Sequence, residues 1–138
     1  MKSTTINDCR LIDIDKHHSK KGNISVFESF LTLPFGVKRV YYLYDVPGGE
    51  SRGGHAHVEL EQLIIAASGS FKVELDDGRN KKAFILNRPY QGLYIVPGIW
   101  RELEDFSSGS VCLVLASKLY NEHDYIRDFK LFKQIKAI

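Results

Sequence analysis

From about Asp8 to Ala116 the chain is cut into short runs of β-branched and aromatic residues by turn-forming residues at close intervals. Many short extended runs with turns between them predict an all-β sandwich or barrel. The runs are Cys9–Ile14, Ile24–Phe30, Val37–Val46, Leu60–Ala67, Ser70–Leu75, Lys82–Leu86, Gly92–Val96 and Val111–Ala116. His17–Asn23 reads as a polar loop closed by Gly22, and Pro47-Gly48-Gly49 ends the strand before it, since proline supplies no donor and glycine opens positive φ. Asp76-Asp77-Gly78 is a hairpin signal of the Asp-Gly type. Only the end departs from this pattern. Between Glu122 and Lys136 the apolar residues Tyr125, Ile126, Phe129, Phe132 and Ile135 recur three and four apart, which predicts a short amphipathic C-terminal helix with Asp124 as its N-cap.

A chain of 138 residues suits one domain, expected to span 1–138, and its 43% hydrophobic and 26% charged residues are those of a globular protein. Nineteen basic against 17 acidic side chains leave a formal charge of +2, too balanced for a nucleic-acid footprint or a polybasic membrane surface. Two distant cysteines, Cys9 and Cys112, give neither a disulfide scaffold nor a zinc ribbon. No apolar run is long enough to span a membrane, and Met1–Asp8 lacks the apolar core of a signal peptide, so a cytoplasmic protein is expected.

The chemistry concentrates in Gly48–Gly69. His55 and His57 sit at i and i+2 on an extended segment and therefore share one face. Arg52 precedes the pair, Glu61 follows it, and Gly49, Gly53 and Gly54 permit sharp turns or close backbone approach. A lone histidine on a strand is ordinarily structural; two on one face, beside an arginine and glycines, point to a site.

The run Gly49, His55, His57, Glu61, Gly69 resembles the first motif of the cupin superfamily with one extra residue before the last glycine, and Gly92–Arg101 approximates the second. Further blocks tighten the resemblance: Lys38–Tyr42, Arg52–His57, Leu60–Gln62, Leu75–Gly78, Gly92–Tyr94, Asp105–Ser108 and Asp124–Arg127 together look like the sugar-nucleotide 3,4-ketoisomerases (WxcM-like) of the RmlC-like cupin superfamily. The resemblance implies a double-stranded β-helix, or jelly-roll, barrel. It also implies an isomerase that moves the keto group of dTDP-4-keto-6-deoxyglucose from C4 to C3 through an enediol(ate), on the way to a 3-amino-3,6-dideoxyhexose for surface glycans. No redox cofactor is needed for that shift. Metal-binding cupins take a further histidine from the second motif; here Arg101 stands there, a permanent cation that cannot coordinate, so no metal is expected.

By the same resemblance His55 is the leading candidate for the catalytic base and His57 a second acid/base or the group that orients the first. Histidine suits the task because its ordinary pKa lies near operating pH. Arg101 and Lys21 are expected to stabilise or position sugar oxygens. Arg52 and Arg39 are the candidate phosphate forks, and Tyr94 the candidate aromatic wall. Trp100 reads equally as a packing residue or a stacking wall. The combination of Lys21 with Arg101 leaves the C4 stereochemistry of the product open. A homodimer is expected, with N-terminal strands from Cys9–Phe30 exchanged between copies and each pocket partly lined by its own strands. Two rival readings stand beside the isomerase: a 3,5-epimerase on the same fold, and a non-catalytic cupin module that binds a sugar nucleotide.

Overall fold

In the computed structural model, which describes residues 1–137, twelve strands precede one helix. They are β1 (Arg10–Asp13), β2 (His17–Ser19), β3 (Gly22–Ile24), β4 (Arg39–Leu43), β5 (Arg52–His57) and β6 (Gln62–Ser68). Then come β7 (Phe71–Asp76), β8 (Lys81–Leu86), β9 (Gln91–Ile95), β10 (Trp100–Glu104), β11 (Val111–Ala116), β12 (Tyr125–Ile126) and α1 (Phe129–Ala137). One five-stranded antiparallel sheet runs β1-β9-β6-β11-β4 and the other β12-β5-β10-β7-β8, with β2-β3 as a separate hairpin. The two sheets face each other as the double-stranded β-helix expected from the sequence. No helix among the described residues is long and apolar enough to cross a membrane.

The period-two alternation of β-strands sorts residues cleanly. Phe71, Val73 and Leu75 of β7, Phe84 and Leu86 of β8 and Leu103 of β10 turn inward and are buried, while the residues between them are mostly polar and more exposed. Phe71 stacks on Phe106 at 5.2 Å between ring centroids. The Asp-Gly signal does join β7 to β8: Asp77 caps the turn by accepting from the Arg79 and Asn80 amides, and Gly78 takes φ 95°.

Three local expectations are corrected. His17–Asn23 is not a loop but most of the β2-β3 hairpin, and Ile24–Phe30 leaves the strand after Ile24. The stretch Trp100–Glu104, outside the predicted runs, is a central strand. The C-terminal helix begins only at Phe129; Asp128, not Asp124, caps it by accepting from the Lys130 amide at 2.9 Å. Tyr125 and Ile126 pair with His57 and Ala56 as β12, so their helical spacing to Phe129 was coincidental. The helix covers the outer side of β5 and β10, where Trp100 packs edge-on against Phe129 and beside Phe132. Trp100 is therefore a packing residue.

Candidate active site

Between the sheets lies a cavity of about 370 Å³. Its walls come from inward positions of β4 (Arg39, Tyr41, Leu43), β5 (Arg52, His55), β6 (Gln62, Ile64), β10 (Arg101, Leu103) and β11 (Val114), and from Tyr120, Tyr125 and Arg127 of the segment leading to α1. Four sequence candidates thus converge: His55, Arg52, Arg101 and Arg39. His57 sits directly behind His55, fully buried, with the two rings 4.9 Å apart and perpendicular.

The spacing of Arg52 and His55 needs explaining, because residues three apart on a regular strand face opposite ways. The register against β10 runs Arg101 to His55 and then Glu102 to Gly53, which leaves Gly54 as an extra, bulged residue. Gly53 (φ 92°) and Gly54 (φ 71°) both lie in the left-handed region, and a Cβ on Gly53 would stand 3.0 Å from the Arg101 carbonyl oxygen. The Gly-Gly pair thus turns Arg52 onto the same side as His55.

Arg101 is almost wholly buried. Its Nη1 donates to Gln62 Oε1 and its Nη2 to the Ile99 carbonyl at 2.9 Å; Gln62 in turn donates to the Tyr41 hydroxyl at 3.1 Å. Burial lowers its pKa to about 10, which still leaves it a cation at neutral pH. The nearby imidazoles respond. Burial first, and the Arg101 charge second, hold His55 down at about 3; the same causes in the same order push His57 lower still. Both rings are neutral at physiological pH. Arg39 Nε and Nη2, His55 Nε2 and Arg101 Nε, all on cavity-lining residues, are buried without a partner among the described residues. Buried polar groups are rarely left so. Together they describe a site made for a ligand rich in oxygen and negative charge.

Two candidates fall outside. Tyr94 lies on the outer side of its sheet, where its hydroxyl donates to Glu61 Oε1 and its ring stacks beside Phe35 and under Arg10. Its strand register, not its aromatic character, decides this; Tyr41, Tyr120 and Tyr125 supply the aromatic wall instead. Lys21 sits exposed in the turn of the β2-β3 hairpin, its amide donating to Ser19 Oγ, and does not line the cavity of its own chain. Glu61, bonded to Tyr94, does not join the two histidines, and no group of three or more His, Cys, Asp or Glu among the described residues is arranged to hold a metal.

The residues that sequence reasoning missed lie mostly on the connecting segment 120–127. Arg127 pairs with Glu122 (Nε to Oε1, 2.7 Å; Nη2 to Oε2, 3.0 Å) and lies 4.2 Å over the Tyr125 ring, which also packs against His55, His57 and Tyr120.

A jelly-roll barrel of the cupin type, holding neutral imidazoles among fixed cations, is the class of protein defined by this fold and cavity. The chain matches the family FdtA: WxcM-like, C-terminal, over residues 7–137, and belongs to it. It is 42% identical over 137 residues to a TDP-4-oxo-6-deoxy-alpha-D-glucose-3,4-oxoisomerase of Aneurinibacillus thermoaerophilus, covering 99% of this chain and 94% of that one. A 3,4-ketoisomerase structure from Helicobacter canadensis is 44% identical with a TM-score of 0.92, covering 95% of this chain and 98% of that one. A His-to-Asn variant of the 3,4-ketoisomerase QdtA from Thermoanaerobacterium thermosaccharolyticum, solved in complex with TDP-4-keto-6-deoxyglucose, is 38% identical with a TM-score of 0.92 over 94% of each chain.

Proposed function

We propose that this protein is a TDP-sugar 3,4-ketoisomerase acting on TDP-4-keto-6-deoxyglucose. The observation that carries the reading is the cavity itself: a neutral imidazole, His55, directly opposite the buried guanidinium of Arg101 in the strand register, in a chain that shares 42% identity with a 3,4-oxoisomerase. The 3,5-epimerase and the binding-module readings have no comparable support.

His55 removes the C3 proton, and negative charge moves onto O4 as the enediolate forms. The Arg101 guanidinium, held rigid by Gln62 and the Ile99 carbonyl, faces that charge with no reorganisation at the moment of reaction. O4 takes up a proton, a second is delivered to C4 and the C3 hydroxyl gives up its own, so the ketone stands at C3 and the overall change is an internal hydrogen shift. A neutral imidazole has its lone pair free to accept the proton, and the negative charge of a bound diphosphate sugar offsets the nearby cations and raises its basicity toward the useful range. His57 is the second acid/base or the orienting partner; Arg52 and Arg39 hold the diphosphate.

The reading includes a cytoplasmic homodimer. Ile24, Val26, Phe30 and Leu31 are exposed beside the free β2-β3 hairpin, and Val40, Tyr42 and Tyr44 are exposed on and just beyond the edge strand β4. An exposed edge of this kind invites pairing, and an exchanged hairpin would carry Lys21 to a second copy's pocket. The decisive experiment is incubation with TDP-4-keto-6-deoxyglucose in deuterated water, followed by NMR. An isomerase gives the 3-keto product carrying deuterium at C4, with exchange at C3 in recovered substrate; a binding module leaves both carbons untouched.

A further inference from the structure

Asp124 is the group that ties the catalytic strand to the segment walling the cavity, and no role in the reaction has so far fallen to it. Its carboxylate is buried. Oδ1 accepts from the Glu59 amide at 2.8 Å; Oδ2 accepts from the Leu60 amide at 3.3 Å and lies 3.0 Å from His57 Nδ1. Its main-chain carbonyl accepts from the Val58 amide at 2.9 Å. Both carboxylate oxygens are therefore occupied as acceptors of N–H donors, which is the behaviour of the ionised form. An ionised carboxylate offers His57 no proton. The imidazole, neutral in its buried setting, must therefore carry its hydrogen on Nδ1 and donate it to Asp124.

We infer that Asp124 is a positioning residue for the isomerisation: it fixes the tautomer of His57 so that Nε2 is left as a lone pair, on a ring 4.9 Å from that of His55. His57 Nε2 is buried and has no partner among the described residues. In the opposite tautomer Nε2 would be a donor, and the pair of imidazoles would lose its second acceptor. The same aspartate holds β12 against β5, where Tyr125 stands opposite His57, so ring orientation and cavity wall are set by one group. The inference rests on the isomerase reading for its effect on turnover, but the tautomer itself is measurable without substrate.

The test has two arms. In the first, long-range ¹H–¹⁵N correlation spectra of the ¹⁵N-histidine protein are recorded at neutral pH. His57 should show a protonated Nδ1 and an unprotonated Nε2, and Asp124→Asn should shift the ring toward the Nε2-protonated form. A wild-type His57 protonated on Nε2 overturns the inference, whether or not the variant folds. The second arm is a double-mutant cycle on kcat. Asp124→Asn should lower kcat by roughly tenfold or more, within the range of general acid–base effects, with KM little changed. In a His57→Asn background the same substitution should cost nothing further. An equal additional loss in that background shows a purely structural role and sinks the proposal. If the wild-type protein fails to isomerise the substrate at all, the function reading fails while the tautomer measurement still stands.

Discussion

The same strands build two unlike levels inside the barrel. Read inward along β4, the buried side is Arg39, Tyr41, Leu43; along β6 it is Gln62, Ile64, Ala66; along β10 it is Arg101 and then Leu103. Ala116 of β11 stands in register between Arg39 and Gln62, and its small side chain leaves room for both longer neighbours. One level is thus basic, hydrogen-bonded and incompletely satisfied. The other, around Phe71, Val73, Phe84, Leu86 and Phe106, is apolar and closely packed. A step of two residues along a strand separates chemistry from stability. The apolar level holds the sheets together; the polar level is free to carry charges that a core would not tolerate.

The division can be broken most sharply at His55. Replacement by Asn should lower kcat by roughly 10²–10⁴-fold, and thermal unfolding should change little; a variant that turns over normally removes His55 from the mechanism. At the other level Phe71→Ala should cost about 3–5 kcal/mol of stability by chemical denaturation, since the ring is nearly inaccessible and stacked on Phe106. Its kcat, measured well below the unfolding midpoint, should stay near wild type. An activity loss larger than the stability loss would mean that the levels are coupled.

The boundary between them can be probed through pH. His55 titrates near 3 in the folded protein against 6.5 for an ordinary imidazole. Its acid limb in kcat/KM should therefore lie well below pH 6.5, giving a flat profile through the usual imidazole range. Stability follows the same sign. As pH falls below 6.5 the unfolded chain takes up the proton first, so folding free energy is progressively lost between 6.5 and about 3. Arg101→Gln removes the second cause of the depression and should move the acid limb upward toward 6.5, while burial alone keeps it below. An unmoved limb would show that burial acts by itself. The smallest effect is expected at the bulge. Gly53→Ala should cost about 1–2 kcal/mol for a non-glycine residue held in the left-handed region, and kcat/KM should fall as Arg52 is displaced; full activity would make the bulge incidental.

Much of the apolar level was legible in the sequence, because β7, β8 and β11 write their burial as local alternation and the Asp-Gly turn is a local signal. The polar level was only half legible. His55, Arg52 and Arg39 stand out by residue type and by resemblance, yet β10 was hidden, since Trp-Arg-Glu-Leu-Glu looks amphipathic only if a buried arginine is allowed. Tyr94 and Trp100 went to outer faces because strand register, which single-sequence patterns do not carry, decides sidedness. Asp124 shows the limit most plainly. An aspartate ahead of an apolar run has the local look of a helix cap, whereas its real partner, His57, lies 67 residues earlier in the chain.

The Gly53-Gly54 bulge has one more consequence. Straightening the bulge at constant length would put Arg52 three regular positions from His55 and so on the opposite face, whereas losing one glycine would leave the two residues on one face. The backbone torsions of that dipeptide, rather than its length, separate a barrel that holds a guanidinium beside its imidazole from one that turns it away.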